Sequence, residues 1–228
     1  MTGVLLSLPF TGRWKVQNSP ARRVPSHGVD IFGERYAIDF VAVDEQGRTA
    51  SRNDWRTWLA TEPPDRYVGF GAAVLSPCNG VVAAVHEGEP DHEGRRSQLA
   101  LAGYLLGQAS RMRQGAAAIA GNSVIIALDE GEGFVALVHL RQGSVTVAPG
   151  DRVEVGSPIA AVGNSGNSTE PHLHLQVMNN VDYAVAAGIP LAFRDYLEWP
   201  RGARSPEFTT SGVPGEGSIV EPWVADPT

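Results

Sequence analysis

A mostly β fold built on an antiparallel sheet is predicted by three features of this chain: 26 glycines and 16 prolines, short apolar runs, and clusters of turn-forming residues between those runs. In order, the runs that read as strands are Tyr36 to Val43, Gly80 to Val85, Ser123 to Leu128, Phe134 to Leu140, Ile159 to Val162 and His172 to Val177. Each is either alternating or continuously apolar over a strand's length. The reversals fall at Pro77 to Gly80, Asp129 to Gly133, Pro149 to Asp151 and Gly163 to Ser168, which supply the Gly, Pro, Asn and Asp that tight turns require.

Two stretches interrupt the strand pattern and read as insertions. The first, Asp44 to Phe70, is polar and carries Trp55 and Trp58; the second, Glu87 to Gly121, contains SQLALAGYLLGQASRMRQ. From Ser97 onward Leu99, Ala102, Leu105 and Leu106 recur at helical spacing, so a helix is expected there, with Gly115 as its stop. It would wall a groove or cover a sheet face. At 228 residues and 43% apolar content the chain suits one elaborated domain over residues 1–199, with its core at about 26–177. The Pro/Gly/Ser/Thr-rich residues 200–228 are expected as an extended or poorly ordered tail.

Charge narrows the partners. A formal net charge of -7 and the lack of any Lys/Arg cluster interleaved with aromatics give no footprint for nucleic acid. Cys78 is alone and can form no internal disulfide. The opening MTGVLLSLPFTGRWK has no basic region before its apolar stretch, and Pro9 and Gly12 cut that stretch well short of a membrane span. Neither a clear signal peptide nor a spanning segment is therefore expected.

The chemistry is concentrated in histidines and one aspartate. In Pro171-His172-Leu173-His174 a strand would place His172 and His174 on one face and Leu173 and Leu175 on the other. That pairing suits one metal ligand beside a base, or two ligands. His139 lies inside the apolar run FVALVHL and, once buried, needs partners for its ring nitrogens. Asp39 sits in YAIDFVAV, where an unpaired buried carboxylate would be costly, so it requires a cation: either Arg35 or a shared metal. With His27 from Ser26-His27-Gly28-Val29-Asp30, two imidazoles and a carboxylate make a set that holds Zn²⁺ with a position left open, or a non-haem iron. His86 and His92 fall in the acidic VHEGEPDHEG and read as a solvated loop.

These residues, with SPCNGVVAAV, GNSVIIAL, VHL and the run VAPGDRVEVGSPIAAVGNSGNSTEPHLHLQV, resemble the M23 (lysostaphin or LytM type) metallopeptidases from about Ser26 to Val177. The resemblance implies a β-sandwich core of the barrel-sandwich type and one zinc ion on His27, Asp39 and His174. It further implies that His139 and His172 flank the metal-bound water, and that the substrate is a peptide bond in peptidoglycan cross-bridges or stem peptides. An extracytoplasmic or cell-wall location would follow from that substrate. The family's usual His-x-Gly-x-Asp places Asp four residues after His, whereas Asp30 stands three and Asp39 twelve residues after His27. Asp39 is preferred, because AIDFVA matches the strand that carries the family's Asp, with Asp30 the rival. Retention of all five positions favours a hydrolase over a non-catalytic cell-wall-binding or hydrolase-activating module. A biotinyl or lipoyl carrier, suggested by VAPGDRVEVGSPIAAVG, fails for want of a lysine there, since Lys15 is the only one in the chain.

Overall fold

The computed structural model describes residues 3–51, 60–95 and 116–224. Its strands are β1 (Val4–Leu6), β2 (Trp14–Gln17), β3 (Ile38–Ala42), β4 (Ala73–Leu75), β5 (Gly80–His86), β6 (Asn122–Leu128), β7 (Phe134–Leu140), β8 (Arg152–Val153), β9 (Pro158–Ala161), β10 (Leu173–Met178), β11 (Leu191–Trp199), β12 (Glu207–Gly212) and β13 (Ile219–Pro222). Among the described residues one short helix, α1, spans Ala116–Ala120, and single 3₁₀ turns occupy Glu34–Tyr36 and Pro64–Arg66. The six runs read from the sequence are all strands, to within a residue or two at their ends. The helix expected from Ser97, and both Trp55 and Trp58, lie outside the described residues.

Among the described residues the main sheet runs β1-β11-β13-β2-β3-β10-β7-β6-β5-β8, with β12 also paired to β11, and β4 and β9 form a separate two-stranded sheet. The sheet is mixed, because β1 joins β11 in parallel while the other pairs are antiparallel. Within residues 200–224 the expected tail is ordered as strands: β12 pairs with β11, and β13 inserts between β11 and β2. The edges of β11 and β2 supply the hydrogen-bond partners that this polar segment needs, so it orders without a strong apolar signature.

Alternation along the central strands sorts side chains to two faces. Ile38 and Phe40 of β3, Leu137 of β7, and Leu173, Leu175 and Val177 of β10 enter the main core, where Val74, Ile159 and Val162 from the β4–β9 side meet them. Phe10 stacks on Trp14 at 4.5 Å and meets Phe40 edge-on at 5.0 Å, and Phe40 in turn meets Phe193 at 5.5 Å. Each such fully buried side chain contributes roughly 1.5–3 kcal/mol of transfer free energy. The opposite face carries a smaller apolar cluster of Ala120, Ile125, Ala136, Val138 and Met178, and beside it Asp39, His174 and Gln176.

One irregularity decides where His139 points. The β6–β7 register shifts between Asn122 and Val124, which pair with Leu140 and Leu137, so β7 holds an extra residue there. His139 takes the left-handed φ of 62°. Strict alternation after Leu137 would send His139 into the main core; the bulge instead leaves Leu140 in the core and turns His139 toward the opposite face.

Candidate metal centre

Three adjacent strands, β3, β10 and β7, build the site. Antiparallel register sets His174 of β10 directly across from Asp39 of β3, with Val138 on its other flank. Facing residues in such a pair stand about 5 Å apart at Cβ, close enough for imidazole and carboxylate to meet. His174 Nδ1 lies 2.9 Å from Asp39 Oδ1, and His27 Nε2 lies 3.1 Å from Asp39 Oδ2. The donor atoms of His27, Asp39 and His174 all fall within 4.8 Å of one another. Asn18, at φ 50° just past β2, donates from Nδ2 to Asp39 Oδ2 at 2.7 Å.

The chain fixes each ring by its outer nitrogen. Gln176 donates its amide N–H to the Phe32 carbonyl at 2.7 Å, which orients its Oε1 toward His174 Nε2 at 3.0 Å. An oxygen can only accept, so His174 carries its proton on Nε2 and presents the Nδ1 lone pair inward. His27 Nδ1 meets Ser26 Oγ at 3.0 Å while that hydroxyl donates to the Glu34 carbonyl at 3.3 Å. The proton of His27 is therefore on Nδ1, and its Nε2 lone pair also faces inward. Two nitrogen lone pairs aimed at two carboxylate oxygens repel unless a cation lies between them, and that requirement fits a divalent metal.

Without a metal a proton must serve. Burial is the largest influence on Asp39 and pushes its pKa up, yet the His27 and His172 charges and hydrogen bonds from His174 and His27 hold it well below the usual carboxylate range. Burial likewise depresses His174, but its hydrogen bond to Asp39 outweighs this and raises it to about 9. Burial, reinforced by the His172 and His174 charges, holds His139 well below the usual imidazole value.

His139 and His172 stand beside the cluster with ring centroids 4.8 Å apart, and His139 lies 5.9 Å from His174. His139 Nδ1 donates to the Ser165 carbonyl at 3.0 Å, and His172 Nδ1 to the Glu170 carbonyl at 2.8 Å. Both Nε2 atoms are thereby free as acceptors on the cleft side. That cleft, about 300 Å³, is lined by all five of these side chains and by Asn18, Glu34, Ile119, Asn167, Gln176 and Tyr183. His172 precedes β10 by one residue, and the Ser168 hydroxyl, 3.0 Å from its Nδ1, braces it.

The structure separates the two candidate carboxylates. Asp30 pairs with Arg35 at the surface, which removes Arg35 as a partner for Asp39, while Asp39 is buried among the imidazoles. His86 is apart from the site and lies 3.5 Å from Glu89. Sequence reasoning did not single out Asn18, Ser26, Ser165 or Gln176. Of these only Gln176 carried a legible signal, since HLHLQV at period two sets it on the same face as His174.

The sequence pattern that defines Peptidase family M23 matches residues 65–185, more than half of the 228-residue chain. The chain is a member of peptidase family M23. The matched span contains His139, His172 and His174; strand pairing adds Asp39 from before it, and His27 joins through its contact with Asp39. Among solved structures, this M23 chain is similar to the catalytic domain of the antimicrobial peptidase lysostaphin from Staphylococcus simulans, at 16% identity over 78% of this chain and 88% of that one, TM-score 0.39. It is also similar to LytU, at 24% identity over 82% and 83%, TM-score 0.38. A zinc-containing peptidase from Vibrio cholerae matches at 20% identity over 67% and 45%, TM-score 0.33. No helix among the described residues is long and apolar enough to cross a membrane.

Proposed function

We propose that this M23 member is a zinc-dependent endopeptidase of bacterial cell-wall peptides, acting on cross-bridges or stem peptides, with His27, Asp39 and His174 as the metal ligands. The observation that carries the reading is the pair of inward nitrogen lone pairs converging on one buried carboxylate, with two further imidazoles facing the same cleft. Family membership supports the hydrolytic class and the peptide substrate. An extracytoplasmic place of action follows from that substrate.

Zinc at these ligands would supply Lewis acidity toward a scissile carbonyl and lower the pKa of water to about 7. The residues of the chain do the rest. His139 and His172, anchored through Nδ1, hold their Nε2 lone pairs toward the cleft to accept a proton from the attacking water. A ring protonated at Nε2 becomes a donor and can return that proton to the leaving amine. Val138 and Ile119 add apolar lining to the cleft.

The test is turnover of purified peptidoglycan and glycine-containing peptides with and without a chelator, alongside metal analysis of the native chain. Near-stoichiometric zinc and chelator-sensitive cleavage are expected; iron in its place would move the protein to an oxygenase class. His174→Ala is expected to lose the metal, and His139→Ala to keep it while activity falls at least 100-fold, the scale of general acid–base catalysis. Equal metal loss in both variants would redraw the ligand set. Bound zinc with no cleavage of any substrate would favour a cell-wall-binding or hydrolase-activating module.

A further inference from the structure

The bulge that turns His139 toward the cleft is closed by a side chain from outside the two strands. Asn122 of β6 and Leu140 of β7 face each other at the register shift. The Ser165 hydroxyl bridges them: its oxygen accepts from the Asn122 backbone N–H at 3.0 Å, and its proton goes to the Leu140 carbonyl at 2.8 Å. The Asn122 side-chain amide adds a second bond to the Leu140 carbonyl at 3.0 Å and holds the backbone carbonyl and N–H of Glu89 at 2.8 and 2.9 Å. Ser165 and Asn122 are both fully buried. A hydroxyl offers a donor beside its acceptor lone pairs, which is what an N–H and a carbonyl at the mouth of a bulge require.

The loop that carries Ser165 also grips His139 by its backbone and by its ring. The Gly163 N–H donates to the His139 carbonyl at 3.0 Å, and the Ser165 carbonyl accepts from His139 Nδ1 at 3.0 Å. Ser165 thus bonds two consecutive residues of β7, the His139 ring through its carbonyl and the Leu140 backbone through its hydroxyl. The loop itself has little room to drift. A Cβ at Gly166 would lie 2.4 Å from the Ile119 carbonyl oxygen, and one at Gly121 would lie 2.6 Å from both Gly166 N and Ser165 Oγ, so the loop and the α1–β6 junction are in backbone contact. The Asn167 N–H closes the contact on the Ile119 carbonyl at 2.8 Å. Ser165 neither belongs to the His27, Asp39 and His174 cluster nor lines the cleft.

We propose that Ser165 is a positioning residue for His139: its hydroxyl ties the β7 bulge to β6 and so holds its own carbonyl against Nδ1, which leaves Nε2 as the nitrogen offered to the cleft. Hydroxyl and carbonyl act as one device. Without the hydroxyl, the buried Asn122 N–H loses its acceptor and the Leu140 carbonyl one of its two donors, so the bulge and the loop are no longer fixed against each other. A neutral ring released from the Ser165 carbonyl can carry its proton on either nitrogen, and the fraction with it on Nε2 cannot accept a proton from the cleft. The inference rests on the hydrolase reading of the cleft, which it deepens by naming what aims the proton-accepting imidazole.

The experiment compares the full zinc-loaded chain with Ser165→Ala and with Ser165→Cys, which fills the space with a weak donor should the alanine variant not fold. Val220→Ala, in the core on β13 with three strands between it and β7, controls for general loosening. Long-range ¹H–¹⁵N spectra of histidine-labelled protein near neutral pH read which nitrogen of His139 bears the proton, its signals being those missing from His139→Ala. Zinc content, kcat and KM on a peptidoglycan-derived peptide are measured on the same samples. The parent should show the Nδ1–H form alone. The Ser165 variants should show both forms and a kcat lower by about tenfold, the scale of one hydrogen bond, with KM and zinc unchanged. Val220→Ala should lose Tm and keep the parent's spectrum and kcat. A parent with the proton on Nε2 overturns the proposal, as does a Ser165 variant of an active parent that keeps either the parent's spectrum or its kcat. Zinc loss in the Ser165 variants, or the same spectral change in Val220→Ala, overturns it too, since the residue would then serve the fold alone. A parent that cleaves nothing, yet loses its single form when Ser165 is replaced, supports the positioning role and overturns the hydrolase reading.

Discussion

At the scale of single residues, the proposed centre depends on which ring nitrogen each histidine offers, and neutral side chains behind the proposed ligands decide that. Gln176 is buried, and its amide cannot flip without placing an N–H against a His174 N–H and an oxygen against the Phe32 carbonyl. Its role can be separated from packing. Gln176→Ala removes the acceptor for His174 Nε2–H and is expected to weaken zinc binding 10- to 100-fold, the usual range for a ligand's supporting partner. Gln176→Glu keeps an oxygen toward that N–H and should recover most of the affinity, read by competition against a chromogenic chelator. Equal weakening in both variants would assign Gln176 to packing alone. The ligand-type residues were visible in sequence because polar groups inside apolar runs are costly. Asn18 and Ser26 were not, since Asn and Ser in loops are ordinary turn residues until a fold brings Asp39 and His27 to them.

Between residue and molecule stand the strands. Period-two alternation found β3, β5, β6, β7, β9 and β10 because those strands bury at least one face. It could not find β12, whose EFTTSG is mostly exposed, nor β13, which is held by pairing to both β11 and β2. Nor could it foresee the bulge that redirects His139, because an extra residue in one strand is defined only against its partner. The C-terminal strands also carry a stability consequence. Val220 is fully buried in the main core, and Ser19 binds the Pro214 carbonyl and Glu216 from the same segment. Ending the chain after Trp199 would strip pairing from β11 and β2 and uncover core surface, so the truncated chain is expected to lose at least about 3 kcal/mol. Urea unfolding of the two forms measures this, and an unchanged midpoint would show that residues 200–228 are dispensable to the fold.

Across the whole molecule, Asp39, His139, His172 and His174 come together because β10 lies between β3 and β7 in the sheet, so a metal held there would link its binding to folding. Zinc at about 100 times its dissociation constant would add about 2.7 kcal/mol, on the order of 5–10 °C in Tm for a chain of this size. The pH dependence has a definite sign. In the metal-free chain Asp39 raises His174 to about 9, so the stability from that proton is complete below the ordinary imidazole value and is lost as pH climbs through 9. Zinc on the proposed ligands would take the place of the same proton and need the ring neutral, so its hold would strengthen over the interval in which the metal-free form weakens. The Tm difference between zinc-loaded and chelator-treated protein should therefore widen steadily from pH 6 to pH 9 and nearly vanish below pH 5. Scanning calorimetry at four pH values would measure it. A difference that stays flat, or narrows as pH rises, would mean that the metal binds away from His174.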